Sequence, residues 1–114
     1  MPRSDNAPRV YVTNYAGHDL SDAERYTSLP LVLVTEGYVP FSDQTAYAMA
    51  QKLRGFTEHD YLVLSGSSAL AALAVAILKE TNKIRSINVL VYKAAHNQYT
   101  AHRINGKIHL PESS

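Results

Sequence analysis

The segment DYLVLSGSSALAALAVAIL, residues 60–78, carries a continuously apolar strand-type run into a short polar turn, then into a helix with apolar residues on nearly every face. Unbroken apolarity in a strand, rather than alternation, marks a strand covered on both sides, as in parallel sheets flanked by helices. The run LPLVLVTEG (29–37) repeats the signature, and RVYVTN (9–14) is a strand rich in β-branched and aromatic residues. Between such runs lie helical patterns. That alternation restricts the chain to few architectures.

Residues 1–8, with two prolines, read as a disordered arm. Ser21-Asp22-Ala23-Glu24 spells a capping box, in which Ser21 and Glu24 would each satisfy the other's backbone N–H, and it predicts a short helix over 22–27. Ser42 caps a helix over 43–54 with Ala46, Met49, Ala50 and Leu53 on one stripe, and Gly55 fits the left-handed stop after it. A third helix starts at Ser67 or Ser68 and runs to Asn82. Being apolar nearly all round, it is expected to be buried nearly all round, centrally or in a subunit contact. SINVLVYK and QYTAHRI, separated by AAHN, read as an antiparallel hairpin, and residues 111–114 as a tail. The order β-α-β-α-β-α-β-β predicts one α/β domain over 9–110. It would be three-layered and Rossmann-like, with a mostly parallel sheet and the last strand an antiparallel edge.

Composition narrows the function classes. The chain has no cysteine, which excludes disulfides and thiolate metal sites. Lysines and arginines are scattered at a formal net charge of +1, without the basic stripe that a nucleic-acid partner needs. No run reaches the roughly 20 apolar residues of a membrane span, and MPRSDNAPR has no apolar leader core. A cytoplasmic protein is expected. Eight tyrosines against two phenylalanines suit half-buried rims and stacking surfaces.

In open parallel sheets, ligands bind beyond the carboxyl ends of the strands. There the first strand leads into Thr13, Asn14, Tyr15, Gly17, His18 and Asp19. The second leads into Thr35, Glu36, Gly37 and Tyr38, and the third into Ser65, Gly66, Ser67 and Ser68. Three of the five glycines fall at these exits, each beside polar side chains. Gly66 would let the backbone approach a ligand, and the N-terminus of the following helix favours an anion such as phosphate. Ser-Gly-Ser-Ser is equally a plain helix cap. His18 with Asp19 is a candidate acid–base pair; the plain alternative makes Asp19, with Ser21, a helix-entry residue and has His18 bond the backbone. Glu36 would bond ribose hydroxyls or stand as a solvated rim carboxylate. His59, His96, His102 and His109 do not fall into a metal-ligand spacing, and no nucleophile elbow is spelled. Neither a metal nor another cofactor is expected.

At VYVTNYAGHDLSDAERY, LVLVTEG and DYLVLSG followed by an apolar helix, the chain resembles a family of small α/β proteins encoded by bacteriophages and prophages. The match covers most of residues 9–104. Some small phage proteins of this build hold nucleotide immune signals away from bacterial defence effectors. The resemblance therefore implies a non-enzymatic sponge in the bacterial host cytoplasm, binding an ADP-ribose derivative such as cyclic ADP-ribose, with homo-oligomers expected. Two other readings stay open: a nucleotide- or nucleoside-processing enzyme using His18 with Asp19 or Glu36, and an interaction protein inhibiting a host protein.

Overall fold

The computed structural model describes residues 7–105 of the 114. Most of the expected arm at 1–8, the tail at 111–114 and His109 lie outside the described residues. Strands β1 (Val10–Val12), β2 (Val32–Leu33), β3 (Tyr61–Val63), β4 (Ile87–Lys93) and β5 (Gln98–Ile104) form one sheet in the order β2-β1-β3-β4-β5. β1 runs parallel to both β2 and β3, and β3 runs parallel to β4. β4 and β5 pair antiparallel, from Ile87 opposite Ile104 to Lys93 opposite Gln98. The protein is thus α/β with a mostly parallel sheet.

Strand side chains alternate between faces, and the two cores follow that alternation. On one face Tyr11, Leu62 and Val89 pack with Met49 of helix α1 (Asp43–Lys52), Leu53 just after it, and Leu70, Ala74, Ile77 and Leu78 of helix α2 (Ser68–Glu80). On the other, Val10, Val12, Val63 and Leu90 pack with Ala23 and Tyr99. Both α-helices therefore lie on one face. The opposite layer is thin: a six-residue 3-10 helix, Ser21–Tyr26, and the inward side chains of the hairpin.

Several local expectations give way to tertiary structure. The capping box does not form: the Ser21 N–H donates to Asp19 Oδ1 at 2.9 Å, and Leu20 occupies the cap position with no side-chain bond. A short acceptor two residues upstream captures the same N–H. β2 keeps its cover on both faces, Val32 packing with the helix-side core and Leu33 with the opposite one, but it is only two half-buried residues at the end of the sheet, paired with β1 alone. α2 buries one side and leaves Ala69, Ala72 and Ala76 exposed, since alanine costs little in water. Gly55 does not take a left-handed φ; Lys83 and Asn97 do, the latter closing the hairpin turn. The Ser42 cap is as expected, accepting from the Thr45 N–H at 3.1 Å.

Two carboxylates fasten the periphery. Asp60 is fully buried before β3 and accepts from the Arg9 N–H at 2.8 Å and from the Thr57 N–H and hydroxyl at 2.7 and 3.1 Å. Asp22 Oδ2 accepts from the Tyr99 N–H at 2.6 Å, while Arg25 and Tyr26 donate to the Tyr99 carbonyl at 2.7 and 2.9 Å. The 3-10 helix thereby satisfies both backbone groups of Tyr99 on β5. Removing the Asp60 carboxylate strands buried donors, so Asp60→Ala is expected to lose about 3 kcal/mol in urea unfolding; an unchanged midpoint would show that the loop holds itself.

The backbone bond from Tyr99 lowers the Asp22 carboxyl below its ordinary 3.8, ahead of a smaller opposing effect of desolvation and the help of Arg25. A carboxyl whose folded pKa is depressed contributes stability above its unfolded pKa and loses it as pH falls through the folded one. The Tm difference between the parent and Asp22→Asn should therefore be present near neutral pH and shrink as pH falls below the ordinary carboxyl value of 3.8. Thermal unfolding at both pH values checks this.

Candidate functional site

The pairing of β1 and β2 continues past the strands into their loops. The Tyr15 N–H donates to the Thr35 carbonyl at 2.9 Å and the Gly37 N–H to the Tyr15 carbonyl at 2.7 Å, leaving Tyr15 opposite Glu36. On the other side the Thr13 N–H bonds the Val63 carbonyl at 3.1 Å, and the Ser65 hydroxyl donates to the Asn14 carbonyl at 2.8 Å. The buried Asn14 amide then donates to Thr35 Oγ1 and to the Gly37 carbonyl, both at 2.9 Å. Asn14 also packs against Gly66: a methyl built there would lie 2.7 Å from Asn14 Cβ, and Gly66 holds φ +71°. One asparagine thus joins all three exits at the carboxyl edge of the sheet.

The gathered loops enclose an open cleft of about 680 Å³ whose walls include Tyr15, Gly17, Glu36, Tyr38, Gly66 and Leu70. Two further clefts adjoin it. One, of about 780 Å³, lies towards the 3-10 helix beside His18, Asp19 and Glu24. The other, of about 320 Å³, is bounded by His18, Asp19, Ser65, Gly66 and Tyr92. Charged side chains lining these three clefts are Asp19, Glu24 and Glu36; no lysine or arginine among the described residues lines them.

The expected site residues divide by what their side chains already do. Thr13 is fully buried, its hydroxyl donating to the Val63 carbonyl at 2.7 Å, and Thr35 donates to the Thr13 carbonyl at 2.7 Å. With Asn14 and Ser65 they build the edge through hydrogen bonds already made, although Asn14 also lines the large cleft and Ser65 the small one. Ser67 caps α2, accepting from the Leu70 N–H at 3.3 Å. Ser68 begins that helix and is exposed. Tyr15, Gly17, Glu36, Gly37, Gly66 and the Ser67 cap line the large cleft together. Tyr38 stands at its mouth, 95 % exposed.

His18 and Asp19 adjoin one another but do not form a dyad. Asp19 accepts from Ser21, first through the backbone N–H and then its hydroxyl, which lowers the carboxyl below its ordinary range. The His18 ring lies tilted against that of Tyr15, centroids 5.5 Å apart, and its Nε2 is buried with no hydrogen-bond partner among the described residues. Tyr92 and Leu70 are lining residues that the exit argument passed over. Tyr92 was legible, because β4 is also parallel and ends at the same edge.

Gly66→Ala is expected to cost about 1–2 kcal/mol from the left-handed backbone alone, and more from collision with Asn14. Asn14→Ala loses two hydrogen bonds, about 2 kcal/mol. Because the first penalty includes contact with the second side chain, the double variant should fall short of the sum by about 1 kcal/mol. Denaturant unfolding of the four proteins measures that coupling; strict additivity would separate the two residues.

The family model for Phage Pam3 gp32-like protein matches residues 7–106 of this chain, spanning the sheet, both helices and all three gathered loops. The chain belongs to that family. No curated protein and no solved structure gives a significant match.

Proposed function

We propose that this phage-family protein is a non-enzymatic binder. It takes a nucleotide immune signal, an ADP-ribose derivative such as cyclic ADP-ribose, into the large cleft. By withholding that molecule in the bacterial cytoplasm it silences anti-phage signalling. The observation that carries the reading is the convergence of the three glycine-bearing exits, joined by Asn14, around one cleft with an aromatic wall. Tyr15 and Tyr38 offer ring faces to a base, and the exposed Glu36 suits a ribose hydroxyl pair. At the start of α2 the Leu70 N–H is taken by Ser67 Oγ, and the N–H groups of Ser68 and Ala69, which have no acceptor within the helix, suit one phosphate. The commitment of Asp19 to Ser21 supports binding over turnover. The exposed Ala69, Ala72 and Ala76 offer a smooth face for a second copy.

Calorimetry with cyclic ADP-ribose, ADP-ribose and cyclic dinucleotides tests the proposal. Expected are saturable heat with at least one of them and recovery of that ligand chemically intact after the protein is heated. Tyr15→Ala should weaken binding roughly tenfold or more, the range of base stacking on one aromatic ring. Silence from every ligand, with protein well above micromolar, would remove the reading. Product formation that disappears in His18→Ala would replace it with an enzyme.

A second reading has one observation in its favour. Tyr38, Phe41 and Tyr47 are 95, 67 and 70 % exposed, an unusual aromatic outlay on a small surface, and large exposed apolar area marks interaction sites. A host protein captured by the parent and lost in Phe41→Ser/Tyr47→Ser, with no small molecule bound, would select this reading.

A further inference from the structure

The two clefts of about 680 and 320 Å³ meet at a single residue, Gly66, and repeat one chemistry on either side of it. The larger presents Tyr15, Tyr38 and the carboxylate of Glu36. The smaller presents Tyr92, His18 and the carboxylate of Asp19 over a floor of Leu64 and Ser65. Tyr92 is fixed yet open. Its ring lies 5.2 Å from that of Tyr99, its hydroxyl bonds Asn97, and it remains 44 % exposed. A ring held that way loses little freedom when a flat group stacks on it.

Charge selects further. Neither cleft is lined by a lysine or arginine among the described residues, and each holds a carboxylate. A terminal phosphate carries about −1.5 to −2 at pH 7, whereas a phosphate esterified on both sides carries a single charge. The lining therefore disfavours mononucleotides and triphosphates relative to molecules whose phosphates are internal. Resting on the ligand-binding reading above, we infer that the smaller cleft is a second ring subsite. The ligand class is then a two-headed nucleotide, two ring-bearing ends joined through internal phosphates, straddling Gly66 with one end in each cleft.

The experiment compares adenosine monophosphate with diadenosine 5′,5′-diphosphate by calorimetry on the full chain, with cyclic ADP-ribose run beside them. The two-headed probe is expected to bind at least about fivefold more tightly than the monophosphate, the lower end of one additional stacked base. Tyr92→Ala should erase that advantage and leave monophosphate affinity unchanged, Tyr92→Phe should retain it, and Tyr15→Ala should weaken both probes. Circular dichroism and unfolding of Tyr92→Ala confirm that the variant is folded. Equal affinity for the two adenosine probes, or an advantage that survives Tyr92→Ala, overturns the second subsite. If cyclic ADP-ribose or the monophosphate still binds in that case, the ligand-binding reading stands alone. If no probe binds, both fall.

Discussion

The amide of Asn14 is the contact on which the carboxyl edge depends. It lies two residues past β1, is buried, and donates twice into the loop after β2, while its stem rests against Gly66 in the loop after β3. A buried amide without partners would cost roughly 1–3 kcal/mol, so the side chain and the loops constrain one another. The neighbouring hydroxyls of Thr13, Thr35 and Ser65 each donate to a backbone carbonyl of the same edge. The result is a loop cluster with the hydrogen bonding of a sheet, although its strands are only two or three residues long. Loops tied in this way can present ring faces and backbone groups without first being ordered by a ligand.

The rest of the molecule supports that edge from two unequal sides. α1 and α2 supply a thick apolar layer, whereas the opposite face relies on a short 3-10 helix that would not persist alone. Its security comes from charge-assisted bonds to the β5 backbone through Asp22 and Arg25. The same element leads back to Asp19 and His18, so fastening the hairpin also fixes the wall of the smaller cleft. Tyr92 and Tyr99, on facing positions of the hairpin, complete that wall. Stability of the thin layer and shape of the smaller cleft are therefore linked through a few residues.

As a member of the Phage Pam3 gp32-like family, the chain places its matched region across every element that shapes the clefts. Their chemistry is consistent in kind: aromatic faces, single carboxylates, glycine-bearing backbone and no lining cation among the described residues. Such surroundings favour ligands rich in rings and hydroxyls with little concentrated charge.

Periodicity and apolar runs alone determined the α/β class, the position of α1 with its Ser42 cap, the start of α2, the hairpin, and the location of the polar exits. These are properties of adjacent residues, which short-range sterics and solvent exposure govern directly. Tertiary structure decided what the exit side chains do. Thr13, Asn14, Thr35 and Ser65 have the same composition whether they face a ligand or a neighbouring loop, and only the register of β2, β1 and β3 brings their partners within hydrogen-bond reach. It likewise put the LPLVLVTEG run at the edge of the sheet. Each of those outcomes depends on contacts between segments distant in the chain, which no local pattern encodes.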